Sequence, residues 1–229
     1  MTVENLSNGF YGAHAQRYAQ VANDFIQSVY TNASHPGLTS DLDLMVRLKE
    51  LIPRGGRGLD AGCGAGARDV FYYWRDGYDI VGVDVMEENV RVARKLHPEI
   101  ADRVHMADLS DPLDYAGGSF DFVLCNAVIQ HIGPEIVMGV TLPELARVLK
   151  MDGVFQLMFK VGSGIKTVYD RGYDTERTFQ LYQPEEIISL LSSQGLDVIP
   201  SDGDKLGGVI YFADTKPVDH CVFYARKVR

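Results

Sequence analysis

Apolar positions along this chain follow two spacings that alternate from residue 57 onward. Continuous short apolar runs are typical of buried strands, whereas apolar residues that recur every three or four positions mark one face of a helix. The predicted strands are Arg57–Asp60, Asp79–Val85, Val104–Leu109, Phe120–Ala127, Val154–Val161, Leu196–Pro200 and His220–Ala225. The predicted helices are Arg68–Asp76, Glu87–Leu96, Pro134–Lys150 and Pro184–Gln194. Pro143 lies within the third helix and must kink or divide it, because proline cannot donate the internal hydrogen bond.

This alternation predicts an α/β fold in which helices cover both faces of a parallel sheet. No helix is predicted between the last two strands, which are joined by a loop over residues 202–217. We therefore expect these two strands to form an antiparallel hairpin at the edge of the sheet. With 229 residues, the chain is predicted to be a single domain, residues 1–229.

The first 52 residues are predicted to be a helical segment that precedes the alternating part. One amphipathic helix is predicted over residues 42–52 and ends at Pro53. An earlier helix is indicated by aromatic and apolar residues at helical spacing: Phe10, Tyr11, Tyr18, Val21, Phe25, Val29 and Tyr30. Such a helix either packs on the sheet or closes over a ligand, and the sequence leaves both open.

Composition narrows the classes of partner. The formal charge is −9 and the chain has no basic run, which disfavours nucleic acid and anionic membrane surfaces as main partners. No apolar run is long enough for a membrane span, and the polar N-terminal residues do not resemble a signal peptide. Cys63, Cys125 and Cys221 lack metal-site spacing. We read them as reduced thiols of a cytoplasmic protein and expect no metal.

The most informative segment is a glycine-rich turn between the first strand and the following helix. Glycines at positions 62, 64 and 66 allow a sharp turn and leave the backbone open to a ligand. Asp60 precedes the first glycine by two positions, and a carboxylate there suits an ammonium or sulfonium better than a pyrophosphate. This favours S-adenosylmethionine over NAD. Because Gly62, Gly64 and Ala67 also satisfy the looser dinucleotide fingerprint, an NAD-binding oxidoreductase stays an alternative.

Three later strand ends carry polar residues that suit an adenosine ligand. Asp84 ends the second strand, 22 residues after Gly62, and is placed to accept hydrogen bonds from ribose hydroxyls. Asp108 and the backbone of Leu109 suit adenine. As alternatives, Asp84 caps the next helix and Asp108 forms a turn. Residues 126–131 follow the fourth strand, at the sheet edge where ligands bind in such folds.

Together these segments resemble the class I S-adenosylmethionine-dependent methyltransferases, and among them the type 11 group that acts largely on small molecules. The resemblance covers residues from about 10 to the C-terminus. Its segments are residues 59–66, 81–84, 107–109, 120–124 and 144–154. Met151-Asp152 stands where the family often has Pro-Gly.

The resemblance implies a Rossmann-like, doubly wound sheet of seven strands whose last strand is antiparallel, with the N-terminal helices, residues 1–52, as a lid. It implies that S-adenosylmethionine is bound by the following residues: Tyr11, Tyr18, Asp60, Gly62, Cys63, Gly64, Asp84, Val85, Asp108, Leu109, Asn126 and Ala127. Residues 162–182 are expected to form an inserted substrate cover, since loops at this position carry specificity.

Methyl transfer from a sulfonium is mainly a matter of alignment, with proton removal where the acceptor is protonated. His131 is the candidate base because imidazole titrates near neutral pH, although most histidines are structural. Gln130 is the candidate for positioning cofactor or substrate. We expect methyl transfer to oxygen or nitrogen of a small molecule. Alternatives are a protein or RNA methyltransferase and a non-catalytic protein that only binds S-adenosylmethionine. The sequence does not indicate the oligomeric state.

Overall fold

The computed structural model describes residues 2–24, 30–213 and 218–229. Phe25 and Val29 of the predicted aromatic pattern lie outside the described residues, as do the side chain of Val21 and residues 214–217. The helices are α1 Val3–Asp24, α2 Asp41–Leu51, α3 Arg68–Arg75, α4 Glu87–Leu96, α5 Pro134–Ile136, α6 Leu142–Val148 and α7 Pro184–Ser193. The strands are β1 Arg57–Ala61, β2 Asp79–Asp84, β3 Val104–Met106, β4 Phe120–Asn126, β5 Leu149–Lys160, β6 Ile165–Asp170, β7 Thr175–Gln180, β8 Leu196–Val198, β9 Ile210–Ala213 and β10 Asp219–Lys227.

The main sheet has the order β3-β2-β1-β4-β5-β10-β8. The first five of these strands are parallel, and β10 lies antiparallel between β5 and β8. Helices connect β1 to β2, β2 to β3, β4 to β5 and β7 to β8, and the predicted doubly wound α/β fold is confirmed. The predicted antiparallel pairing of the last two strands, β8 and β10, is confirmed as well.

The sheet has eight described strands, so the prediction of seven was wrong by one. The added strand is β9, which pairs with β10 beyond the end of β8. It lies within the predicted loop 202–217. Its apolar run is only four residues long, and Ile210 and Phe212 alternate with more exposed neighbours. A segment this short is recognised from its pairing rather than from its periodicity.

Several predicted bounds shift by a few residues. The strand predicted over Val104–Leu109 ends at Met106, and β5 begins at Leu149 rather than Val154. The predicted helix Pro134–Lys150 is divided, as expected from Pro143. One wide π-helical turn, Val137–Thr141, separates α5 from α6 just before that proline.

Residues 162–182 contain a β-hairpin that the sequence did not predict. β6 and β7 pair only with each other, outside the main sheet. Most side chains of β6 are exposed, and only Val168 and Asp170 are buried. The apolar signal of a core strand is therefore missing. The hairpin lies over the carboxyl ends of the main strands and contacts α1 through β7.

The apolar core is split by the sheet. One cluster packs between the sheet and α6 and α7, and the other packs against α2, α3 and α4. Both apolar clusters end at the carboxyl ends of the parallel strands, where polar residues line a cleft instead. Among the described residues, no helix is both long enough and apolar enough to cross a membrane.

Candidate active site

Two adjoining cavities lie at the carboxyl ends of the parallel strands. The smaller has a volume of about 170 Å³ and the larger about 940 Å³. Every site residue predicted from the sequence lines at least one of them. The residues that line both are Tyr11, Tyr18, Gly62, Gly64, Asn126 and Ala127. The predicted residues therefore mark one continuous space, with the glycine turn at its centre.

The glycine turn brings backbone close to side chains from two other elements. Gly62 and Gly64 have φ values of +89° and +64°, which favour glycine. A Cβ at Gly62 would lie 2.8 Å from Cγ1 of Val128, and one at Gly64 would lie 3.3 Å from the ring of Tyr18. At Gly62 the absence of a side chain is therefore needed for packing as well as for the turn, whereas a Cβ at Gly64 would only crowd the Tyr18 ring.

Asp60 is a buried carboxylate at the end of β1 that faces the larger cavity. No hydrogen bond reaches this carboxylate from the part of the chain that the structure describes. Burial, followed by repulsion from Asp69, raises the pKa of Asp60 well above its usual range, and Arg68 only partly opposes this. A buried carboxylate in this state is stabilised by a cation, so the site suits a ligand with positive charge.

Asp84, at the end of β2, lines the smaller cavity and holds the turn in place. Its Oδ2 accepts the Gly64 N–H at 2.9 Å. Its Oδ1 accepts the Met86 N–H at 2.9 Å and Nδ2 of Asn89 at 3.0 Å. A carboxylate has about four acceptor positions, so three bonds leave room for one ligand hydroxyl. Burial raises the pKa of Asp84, and these hydrogen bonds oppose the shift.

The far end of the smaller cavity is formed by Val85, Asp108 and Leu109. Oδ1 of Asp108 accepts the Ser110 N–H at 2.8 Å, which is the turn that the sequence offered as the alternative role. The turn holds Asp108 and Leu109 at the cavity wall. The polar wall and the open backbone of this end suit a planar base.

Asn126 and Ala127 join the two cavities at the end of β4. The side chain of Asn126 donates to Asp69 at 3.3 Å and accepts from Gln156 at 3.0 Å. Ala127 has a φ of +59°, which turns the chain out of the sheet. Cys63 also faces the larger cavity, and burial raises the pKa of its thiol well above the usual value.

The structure places His131 away from the larger cavity. Its Nδ1 lies 2.9 Å from the Ser7 hydroxyl and its Nε2 lies 3.1 Å from the Tyr11 hydroxyl. Both ring nitrogens therefore contact α1, and His131 lines only the smaller cavity. Gln130 does line the larger cavity, where its Oε1 accepts the Lys160 backbone N–H at 3.1 Å.

Sequence reasoning missed the contacts of Arg177, a cation of the predicted substrate cover that joins the hairpin to α1. Its Nη2 donates to the Tyr11 hydroxyl at 2.6 Å, and its Nη1 donates to Asp170 at 3.2 Å. The guanidinium also lies 4.3 Å from the ring centre of Phe10 and 5.1 Å from that of Phe179. The sequence does not show the bond to Tyr11, because Tyr11 lies 166 residues away in the chain.

A second missed group lies under the larger cavity. Arg68 donates to Asp41 and to Asp69, each at 2.9 Å, and Asp41 accepts the Tyr30 hydroxyl. These bonds join the beginnings of α2 and α3. Burial, together with Asp41, raises the pKa of Tyr30 well above its usual value.

A third missed group is a pair of nitrogen bases. Lys160 and His220 both line the larger cavity, and Nζ of Lys160 lies 2.8 Å from Nε2 of His220. They are 60 residues apart in the sequence, which gave no sign that they meet.

Comparison with known proteins agrees with this geometry. Residues 59–157 match a family model described as a methyltransferase domain. Magnesium-protoporphyrin O-methyltransferase of Rhodobacter capsulatus is 37% identical over 97 residues, which are 41% of this chain and 41% of that protein. The chain thus spans about two fifths of the length of that relative.

Solved structures share the fold. The 1,6-didemethyltoxoflavin-N1-methyltransferase of Burkholderia thailandensis, which contains 1,6-didemethyltoxoflavin and S-adenosylhomocysteine, has a TM-score of 0.67 and 19% identity over 98% of this chain and 88% of that chain. The [4+2]-cyclase SpnF has a TM-score of 0.66 and 16% identity over 97% of this chain and 95% of that chain. At such identities the likeness establishes the fold, and the cyclase illustrates that the fold hosts other chemistry.

Proposed function

We propose that the chain is a class I S-adenosylmethionine-dependent methyltransferase, as the match of residues 59–157 to a methyltransferase domain supports, and that it transfers a methyl group from S-adenosylmethionine to oxygen or nitrogen of a small molecule. The observation that carries this proposal is the pair of joined cavities. The smaller one suits a nucleoside, and the buried carboxylate of Asp60 faces the larger one near their junction. A nucleoside joined to a cationic group fits this arrangement.

Different residues of the chain are proposed to bind different parts of the cofactor. Asp84 is proposed to accept a ribose hydroxyl, Asp108 and Leu109 to hold adenine, and Asp60 to face the cationic methionine end. The turn at Gly62 and Gly64 leaves its backbone open between these parts. Bound there, S-adenosylmethionine supplies a methyl group already activated by the positive charge on sulfur. The chain's own task is then to align the acceptor and exclude water.

The substrate is proposed to occupy the larger cavity. Its volume lies within the range of roughly 300–1,000 Å³ found for small-molecule sites. Its walls combine aromatic rings with paired charges, which suits a planar molecule with polar substituents better than a peptide or an RNA strand. The R. capsulatus relative acts on magnesium-protoporphyrin, by its name, and the B. thailandensis structure holds 1,6-didemethyltoxoflavin. Both are planar small molecules.

Two parts of the chain are proposed to enclose the reactants. The N-terminal helical segment, residues 1–52, contributes Tyr11 and Tyr18 to both cavities and would act as the lid. The hairpin within residues 162–182 covers the larger cavity. Gln130 is proposed to position the reactants through the end of β5. The base role of His131 stays a prediction. Cys125 and Cys221 are buried free thiols, in keeping with a cytoplasmic location.

The proposal is tested by following labelled methyl from S-adenosylmethionine into a cell extract that is then separated into metabolites, protein and RNA. Label in the metabolite fraction is expected. An Asp84→Ala variant serves as the control, since it removes the carboxylate that holds the turn. Label in protein or RNA would overturn the substrate class. Binding of S-adenosylhomocysteine without transfer to any fraction would favour a non-catalytic binder.

A further inference from the structure

The hydroxyl of Tyr173 is a buried polar group in the cover of the larger cavity. Tyr173 lies in the turn between β6 and β7, is 7% exposed, and lines this cavity. Within the ranges that the structure describes, no donor or acceptor lies within hydrogen-bond distance of its hydroxyl. A buried hydroxyl without a hydrogen bond is costly, and most buried polar groups in proteins have a partner. A molecule bound in the cavity can supply that partner.

The ring of Tyr173 is held in place by α1. It packs edge-to-face against the rings of Phe10 and His14, with ring centres 4.9 Å and 5.5 Å away. The guanidinium of Arg17 lies 5.4 Å from the centre of the Tyr173 ring. The backbone is fixed as well, because the Tyr173 N–H donates to the carbonyl oxygen of Asp170 at 3.0 Å. Since both the ring and the backbone are held, the hydroxyl stays buried until a ligand reaches it.

The hydroxyl lies on the side of the larger cavity that adjoins the proposed cofactor site. Burial is the main cause of the raised pKa of Tyr11; Arg177 opposes the shift, and Tyr18 and Tyr173 add to it. Electrostatic interactions weaken with distance, so the hydroxyls of these three tyrosines lie close together. Tyr11 and Tyr18 line both cavities. The Tyr173 hydroxyl is therefore near the junction of the two cavities.

The surroundings indicate which chemical group this hydroxyl binds. Burial, followed by Tyr18, raises the pKa of Tyr173 to about 12, although Arg177 opposes the shift. The hydroxyl therefore keeps its proton at neutral pH and can donate it to an acceptor. Arg177 is paired with Asp170 at 3.2 Å, and Arg17 is exposed, where water and salt screen its charge. The site thus favours a neutral oxygen acceptor over a carboxylate.

Resting on the proposed function, we propose that the substrate is a planar ring that carries a carbonyl oxygen, and that Tyr173 determines this specificity by donating a hydrogen bond to that oxygen. Tyr18, Tyr30 and Phe212 line the same cavity and give it aromatic walls for the ring. A carbonyl oxygen accepts hydrogen bonds near its own plane, so this bond fixes how the ring lies in the cavity. An analogue without the oxygen leaves the hydroxyl unpaired, and sites of this kind reject such analogues.

The test measures how two fused-ring probes, 1-indanone and indane, bind to protein saturated with S-adenosylhomocysteine. The probes differ in a single carbonyl group, and equilibrium dialysis gives the affinity of each. We expect Tyr173→Phe to weaken the binding of 1-indanone about fivefold, the usual effect of losing one neutral hydrogen bond. The affinity for indane should be unchanged. Because the bound carbonyl is the expected partner of the hydroxyl, the ligand-free variant should unfold at a temperature no lower than that of the wild type.

Tyr211→Phe is the matched control, because it removes the same hydroxyl from an exposed position on β9 that is outside the lining of both cavities. It should bind both probes as the wild type does. The inference is wrong if the wild type does not bind 1-indanone, if Tyr173→Phe binds it with wild-type affinity or loses indane equally, or if that variant is less stable than the wild type. Failure of the wild type to bind S-adenosylhomocysteine in calorimetry would instead count against the proposed function, and the probe comparison without that ligand would still decide the role of Tyr173.

Discussion

Gly62 and Gly77 have the same backbone torsion, φ = +89°, but different surroundings. No atom lies within 4 Å of a Cβ built on Gly77, whereas one built on Gly62 meets Val128. Gly77→Ala should therefore cost only the left-handed backbone strain, about 1–2 kcal/mol. Gly62→Ala should cost an additional ~1–3 kcal/mol from overpacking. Urea unfolding of both variants measures the difference. In a Val128→Ala background, Gly62→Ala should lose most of that additional cost; equal costs in the two backgrounds would contradict the packing argument.

At the same residue scale, the sequence located the side chains that follow strand ends and missed those that meet across the chain. Asp60, Asp84 and Asp108 were predictable because each stands beside a local signal, a glycine turn or the end of an apolar run. Lys160 and His220 carry no such signal. Their contact depends on the register between β5 and β10, which only the folded sheet sets. His131 was found to line the site, but its contacts with α1 could not be read from its neighbours in sequence.

At the scale of elements, Arg177 joins the hairpin to α1, the helix that lines both cavities. Its guanidinium donates to Tyr11 of α1 and to Asp170 of β6. Arg177→Met should leave the Tyr11 hydroxyl without this donor and loosen α1. We expect S-adenosylhomocysteine to bind about tenfold more weakly, a loss of ~1.4 kcal/mol, with faster hydrogen exchange in α1. Calorimetry and exchange mass spectrometry measure the two effects.

Arg171→Met is the matched control for that prediction. It removes the same charge from the exposed turn of the same hairpin. The affinity and the exchange of α1 should be unchanged in this variant. Equal weakening in both variants would mean that net charge, rather than the bond between α1 and the hairpin, sets the affinity.

The elements that the sequence missed share a physical cause. The β6–β7 hairpin and β9 bury few side chains in the main core, so their apolar patterns are short or interrupted. Strands of the central sheet, such as β4 with its buried run from Phe122 to Cys125, carry the pattern strongly. The periodicity of apolar residues indicates which segments are buried in a core. It does not reveal segments, such as these, that are held mainly by strand pairing or by contacts over a cavity.

At the scale of the whole molecule, we expect the ionised carboxylate of Asp60 to lower the stability of the folded protein and to strengthen the binding of a cationic ligand. Burial and Asp69 raise the pKa of Asp60 well above its usual range, so the folded protein holds this proton more tightly than the unfolded chain does. As pH rises from the ordinary carboxyl range, the unfolded chain releases the proton first, and stability falls until the folded-state pKa is passed. Asp60→Asn removes this cost. The variant should therefore unfold at a higher temperature than the wild type at neutral pH, and the difference should close as the pH is lowered.

Cofactor binding should respond in the opposite sense. A cationic ligand favours the ionised form of Asp60, so wild-type affinity for S-adenosylmethionine should rise with pH until Asp60 is ionised in the free protein. Asp60→Asn should flatten this dependence and weaken binding by about tenfold or more, as expected for loss of a charged partner worth ~1.5–3 kcal/mol. Thermal unfolding and calorimetry across the same pH series measure both effects on one variant. A less stable variant at neutral pH, or one that keeps full affinity, would show that Asp60 serves the fold rather than the ligand.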